Sequence, residues 1–240
     1  NFGRTIGECD VCHRHIEYGQ NGGFRAVATV GGLLSTHNAG NVTVGGTLTL
    51  DHCINYGAVT GTQGKVAGLI GNYSAVSATL KLTDCGNYGT ISSAGKDSGA
   101  MIGCAAPNNG SIAVENCFNT GNLLGNGGEN KAGVIGSHNP SNSAKLTVTN
   151  FLNTGSITSK SRAAAVTAWV PDACDITVTG CISLGAISGQ NESGGILARV
   201  SNTSVVKNCL AAASVTTTSG ACGVLLGGSA AKATVEGNYY

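Results

Sequence analysis

The 240-residue chain is poor in charge, in proline and in large aromatic side chains. Asp, Glu, Lys and Arg make up 10% of it, and it holds 3 prolines, 4 phenylalanines and 1 tryptophan. A globular chain is ordinarily about a quarter charged. Disorder needs few apolar and many charged residues, so a mean hydropathy of +0.13 with so little charge excludes it. The net charge of +1 and the absence of a basic run exclude a nucleic-acid binder, which must neutralise phosphates. No apolar stretch approaches the ~20 residues that cross a bilayer as a helix. The start, Asn1-Phe2-Gly3-Arg4, has neither an initiator Met nor a signal peptide and reads as that of a processed fragment attached to further domains.

What the chain has instead is glycine, 38 residues of it, and 10 cysteines. Both recur with a period. A first anchor, Cys-x-Asn-x-Gly-x-(Val/Ile/Leu), appears at Cys53–Val59, Cys85–Ile91 and Cys117–Leu123, and with Phe151 in place of cysteine at 151–157. It decays at Cys181–Ile187 and Cys209–Val215, and an earlier copy lies at His15-Ile-Glu17-Tyr-Gly19. A second anchor follows each first one, as in Ala67-Gly-Leu69-Ile70-Gly71 and Gly99-Ala-Met101-Ile102-Gly103. A third precedes each cysteine and alternates with period two, placing Leu48/Leu50, Leu80/Leu82, Ile112/Val114, Leu146/Val148 and Ile176/Val178 inward.

About seven copies of a ~30-residue unit with three short β segments and no helical period describe a solenoid. Propeller blades need about four strands in 40 or more residues, which these units are too short to supply. The expected fold is therefore all-β: a single-domain parallel β-helix spanning 1–240, taken as right-handed, of about seven coils with three short strands each. Residues 1–14 are expected to cap it, 15–237 to form the repeats, and 238–240 to be a truncated end.

Aligned copies build columns. Cys53, Cys85, Cys117, Cys181 and Cys209 share one position with Phe151, which marks them as packed hydrophobes, although neighbouring coils could bring a pair close enough for a disulfide. Asn55, Asn87, Asn119 and Asn153 form a second column, whose amides can donate and accept in a ladder. The glycine two residues later is expected to serve a tight corner.

Three sets of residues carry possible chemistry. Cys9-Asp-Val-Cys12-His13-Arg-His15 has the spacing of a haem attachment motif and the donors of a zinc site, beside its plainer reading as part of a cap. Asp51, His52, Asp84 and Glu115 gather on one corner of neighbouring coils, the best acid/base cluster available and otherwise a solvated polar corner. The segment after each second anchor reads as a variable loop stacking Thr36, Asn72, Cys104, Ser137, Trp169 and Arg199, with His37, Tyr73, Ala105 and His138 one residue on. Of these, Trp169, Tyr73, His138, Arg199 and His37 are the candidates for contact with sugars or proteins, set against simple packing of Trp169 over the coil beneath it. No cofactor is expected.

The alternation of these anchors resembles the GLUG-type repeats of large bacterial surface and secreted proteins, best at Ala67–Gly71 and Asn116–Gly121 and across about residues 15–237. That resemblance implies a secreted or cell-surface β-helix, adhesin-like and joined to other domains, meeting host or environmental glycans or surface proteins. It carries no catalytic residue. The functional expectation is a non-catalytic adhesive or structural module, with a β-helix polysaccharide lyase or glycoside hydrolase as the competing class.

Overall fold

A computed structural model describes residues 9–11, 29–39, 46–62, 64–125, 127–171, 174–200, 203–228 and 233–240. Every strand pairing among them is parallel and joins one repeat copy to the next. Six complete turns begin at Thr47, Thr79, Ser111, Ala144, Cys174 and Thr203. Partial turns flank them, one including Cys9–Val11 and Thr29–Gly31, the other Thr234–Glu236. No helix among the described residues is long and apolar enough to cross a membrane.

The turn from Thr79 to Asn108 shows the construction. Its strands are Thr79–Thr83, Gly86–Asn87, Ile91–Ser93, Asp97–Gly99 and Ile102–Asn108, each belonging to a different sheet. We call these faces 1 to 5. The third anchor is face 1, while the first and second anchors each divide into two faces. Three expected segments per coil thus resolve into five short strands, because backbone bends at Tyr88–Gly89 and Ala100–Met101 interrupt the pairing.

Face 1 alternates as the sequence requires, with Leu80, Leu82, Ile112, Val114, Leu146 and Val148 at 0–1% exposure. They merge with Ile91, Met101, Phe151 and Ile187 into one continuous core along the axis. Faces 4 and 5 fold against each other over small residues only. A Cβ on Gly99 would stand 2.0 Å from the Ile102 carbonyl oxygen; in later turns Ala132 and Ala164 take its position on face 4 and cluster with Ala168 and Ala198 of face 5.

Between faces 1 and 2 the chain turns through a left-handed residue in each described turn. His52, Asp84, Asn116, Asn150, Gly180 and Asn208 have φ between 52° and 66°. Asn, Asp, His and Gly are the residues that tolerate this region, so one backbone requirement explains the whole column.

The asparagine ladder is present. Asn55 donates to the Asn87 amide oxygen (2.7 Å), Asn87 to Asn119 (2.8 Å) and Asn119 to Asn153 (2.8 Å). Each also donates to the carbonyl of the glycine two residues on, at 2.8–2.9 Å. The amide-to-amide run stops where Ser183 replaces asparagine, and the buried Ser183 hydroxyl has no partner among the described residues.

The glycine that follows has a different reason from the expected tight corner. A Cβ on Gly89, Gly121, Gly155 or Gly185 would lie 1.9–2.1 Å from the carbonyl oxygen of the glycine one coil back. It is the close approach of the preceding coil that forbids a side chain.

Candidate functional site

The cysteine column is packing, as its sharing with Phe151 implies. Cys53, Cys85, Cys117, Cys181 and Cys209 are buried thiols that form no disulfide, and each can donate to the carbonyl two residues before it. Outside the column, burial pushes Cys104 up to about 11 and Cys174 up to about 12; within it, hydrogen bonds between neighbouring thiols push Cys117 and Cys181 up and draw Cys85 and Cys209 down. Of the N-terminal set, Cys12, His13 and His15 lie outside the described residues, as does the side chain of Cys9. The Cys9–Val11 backbone pairs with Leu48–Leu50 and so extends face 1 by one strand.

The acid/base corner does assemble, in part. His52 Nδ1 lies 3.0 Å from the Asp51 carboxylate and Nε2 lies 3.8 Å from that of Asp84. A hydrogen bond to Asp51, and then its charge, raise the His52 pKa above the usual imidazole value. Glu115 is not part of this group. It pairs in register with Thr83, which in turn faces Asp51, one turn further along. Glycosidases hold two carboxyl groups roughly 5–9.5 Å apart across a bound sugar. Here one donor atom from each of Asp51, His52 and Asp84 lies within 4.8 Å of the others, on a solvent-exposed corner. A hollow of about 320 Å³ beside Ser77, Thr79, Asn109, Ser111, Ser143 and Lys145 contains no acid, and one of about 290 Å³ at Val224–Leu226, Val235 and Tyr240 is apolar.

The segment after the second anchor is a strand, not a variable loop, and this divides the expected binding residues. Register pairs Thr36, Asn72, Cys104, Ser137 and Trp169 in one column, and His37, Tyr73, Ala105 and His138 in the next, as aligned from sequence. The second column faces inward. Tyr73 and His138 are 0% exposed, so neither offers a surface contact. Burial drives the Tyr73 phenol up to about 12 and the His138 imidazole down to about 4. The His37 backbone follows the same register, and its side chain lies outside those described.

Trp169 and Arg199 point outward but are already engaged. The guanidinium carbons of Arg162 and Arg199 sit 4.5 and 4.4 Å over the indole ring. Glu192 bridges both, hydrogen-bonded to Arg162 Nε and 4.0 Å from Arg199 Nη1. The ring surface that a sugar would stack on is therefore taken by cations, and the cluster clasps two adjacent turns. Each cation–π contact is worth about 0.5–2 kcal/mol. Trp169→Ala is expected to lower unfolding stability by about 1–3 kcal/mol in urea titration while leaving glycan binding intact.

A surface the anchor pattern passes over lies on face 2, whose strands alternate between a buried Asn, Ser or Ala and an outward position. The outward residues are Ile54, Phe118, Leu152, Ile182 and Leu210, joined at the following bend by Tyr56, Tyr88 and Leu184. Tyr56, Tyr88, Ile182 and Leu184 are 42%, 47%, 37% and 47% exposed. Tyr56 and Tyr88 stack at 4.9 Å, and Tyr88 meets Phe118 edge-on at 5.0 Å. The Phe118 ring lies across Gly86, where a Cβ would come within 2.1 Å of it. The result is an apolar stripe along six turns. Thr120 and Thr154 take the bend position in its middle turns, and Thr60, Ser92, Leu124 and Thr158 flank it on the outward side of face 3. Lys131, by contrast, is wholly buried, donating to the Gly95 carbonyl (2.8 Å) and the Ser98 hydroxyl (3.0 Å), with its pKa lowered by burial to about 8.

The chain matches no protein-family model, no curated protein and no solved structure, so its parallel β-solenoid fold and these surfaces are what any functional reading must rest on.

Proposed function

We propose that the chain is a non-catalytic β-solenoid module, secreted or displayed on a bacterial surface, that binds neutral glycan chains along face 2. The observation that carries this reading is the exposed apolar stripe from Ile54 to Leu210. Its area is not unusual for a monomer's surface; what marks it is its shape, a narrow row in which Tyr56 stacks on Tyr88 and Tyr88 meets Phe118 edge-on. Six strands at about 4.8 Å and two residues of strand width give a strip of roughly 30 by 7 Å. That is about 200 Å², well short of the ~800 Å² per partner of a stable protein interface. A long, thin ligand suits it better. Aromatic and aliphatic side chains beside the hydroxyls of Thr60, Ser92 and Thr158, with the polar left-handed corner along the other edge, match the mixed apolar and hydroxyl character of a sugar polymer, and the absence of charge within the strip itself favours a neutral one. The GLUG-like repeat pattern and the low charge of the chain support placement outside the cell.

Affinity electrophoresis in neutral polysaccharides, with a parallel assay for new reducing ends, tests the proposal. Tyr88→Ala and Tyr56→Ala are expected to weaken binding at least about tenfold, a loss of about 1.4 kcal/mol, with no sugar released by any form. Retention unchanged by both substitutions would refute the stripe. Depolymerisation abolished by Asp51→Asn would replace the reading with that of a carbohydrate-active enzyme.

A further inference from the structure

We propose that the corner between faces 1 and 2 binds a divalent transition cation such as Zn²⁺, with His52 Nε2 and the Asp84 carboxylate as ligands and Asp51 as the residue that positions His52. This is independent of the glycan reading, which rests on other side chains.

The geometry is that of a ready-made bite. Two donors each about 2.0–2.1 Å from one ion can stand at most about 4.2 Å apart. His52 Nε2 and the Asp84 carboxylate are separated by 3.8 Å, and a side-chain shift of about half an ångström brings them to the ~3.4 Å that tetrahedral zinc requires. Asp51 meets the other ring nitrogen at 3.0 Å, which fixes the tautomer with the proton on Nδ1 and leaves Nε2 free to ligate. A carboxylate on the far nitrogen of a metal-binding histidine is the usual supporting contact.

The site is also pre-organised. His52 and Asp84 occupy the same left-handed position of consecutive turns (φ 53° and 52°), and their backbones are tied by the His52 N–H to the Thr83 carbonyl at 3.0 Å. The backbone does not demand this pair, because Asn116, Asn150, Gly180 and Asn208 satisfy the same conformation. Among the described turns, only these two neighbours put two metal-ligating side chains side by side in the column. An imidazole nitrogen beside carboxylate oxygens favours zinc, copper or nickel over calcium and magnesium, and the absence of a thiol from the group disfavours soft ions. All three side chains are open to solvent, leaving the remaining coordination positions to water.

The test uses the full 240-residue chain with Cys9→Ser, Cys12→Ser and Cys222→Ser, which removes the N-terminal thiols and the exposed one. Zn²⁺ titration by calorimetry is expected to show one equivalent bound, and Co²⁺ substitution a visible spectrum without a thiolate charge-transfer band. His52→Asn and Asp84→Asn keep residues that tolerate the left-handed backbone, so circular dichroism should be unchanged while Zn²⁺ affinity falls at least about tenfold. Asp51→Asn should weaken binding less than either. No bound zinc, a thiolate band, or binding indifferent to both ligand substitutions would overturn the site.

Discussion

Asn119→Ala is expected to cost about 3–6 kcal/mol of folding stability, a large share of the roughly 5–15 kcal/mol that a domain possesses. The side chain is fully buried and serves three partners: it donates to the Gly121 carbonyl and to Asn153, and accepts from Asn87. Truncation leaves all three buried and unpaired, at about 1–3 kcal/mol each. Asn153→Ser is expected to cost less, because Asn153 ends the run of amides and the next turn already has Ser183 there. Asn119→Asp is expected to be at least as damaging as alanine at pH 7. A carboxylate can accept from Asn87 but cannot donate to Gly121 or Asn153, and it brings a buried charge. Urea unfolding followed by circular dichroism ranks the three. Equal, small effects would mean that the ladder is decorative and that the core alone holds the turns. Because solenoids are stabilised turn by turn, hydrogen exchange should show protection lost first at the turns beginning at Thr79, Ser111 and Ala144.

The ladder was legible in the sequence because stacking repeats a position exactly once per turn, so a column of identical residues needs a reason that crosses coils. The same logic identified the inward pairs of face 1 and the register of Trp169 with Ser137. It failed where a recurrent letter drew attention away from the variable one. In Cys-x-Asn-x-Gly the informative residues for binding are the two x positions, since period two sends them outward when Asn goes in. They read Ile54 and Tyr56, Gly86 and Tyr88, Phe118 and Thr120, Leu152 and Thr154, then Ile182 and Leu184, a mainly apolar series where solvent would favour polar side chains. That signal was available. The Arg162–Trp169–Glu192–Arg199 clasp was not, because it depends on faces 4 and 5 folding back so that residues seven apart, and one turn apart, meet. Nor does any pattern announce Lys131, a single buried amine whose partners are a carbonyl and a hydroxyl of the preceding turn. Reading the segment after the second anchor as a loop misplaced Tyr73 and His138. It is rich in small residues and interrupted by proline at Pro107 and Pro140, yet Ile102–Asn108 pairs through Pro107 with Ala75.

That inward histidine sets the acid limit of the fold. His138 is 0% exposed, and neither ring nitrogen has a hydrogen-bond partner among the described residues, so it is held neutral with its pKa lowered by burial to about 4. In the unfolded chain the same imidazole titrates near 6.5. Between these values the unfolded state binds the proton and the folded state does not, so stability falls as pH falls. The loss begins near pH 6.5, amounts to about 2.5 kcal/mol at pH 4.5 at 1.36 kcal/mol per pKa unit, and is complete below about pH 4. Carboxylates also gain protons as the pH falls, and so the comparison must be between the protein and His138→Leu, which fills a similar volume without a titratable group. The difference in urea midpoints between the two should grow by about 2.5 kcal/mol in free energy from pH 7 to pH 4.5, with the leucine variant the more stable at the acid end. Parallel curves would show that the His138 pocket admits water or a proton in the native state. In that case, the column of Tyr73, Ala105 and His138 would not be a dry part of the core, and the acid limit would have to come from the carboxylates instead.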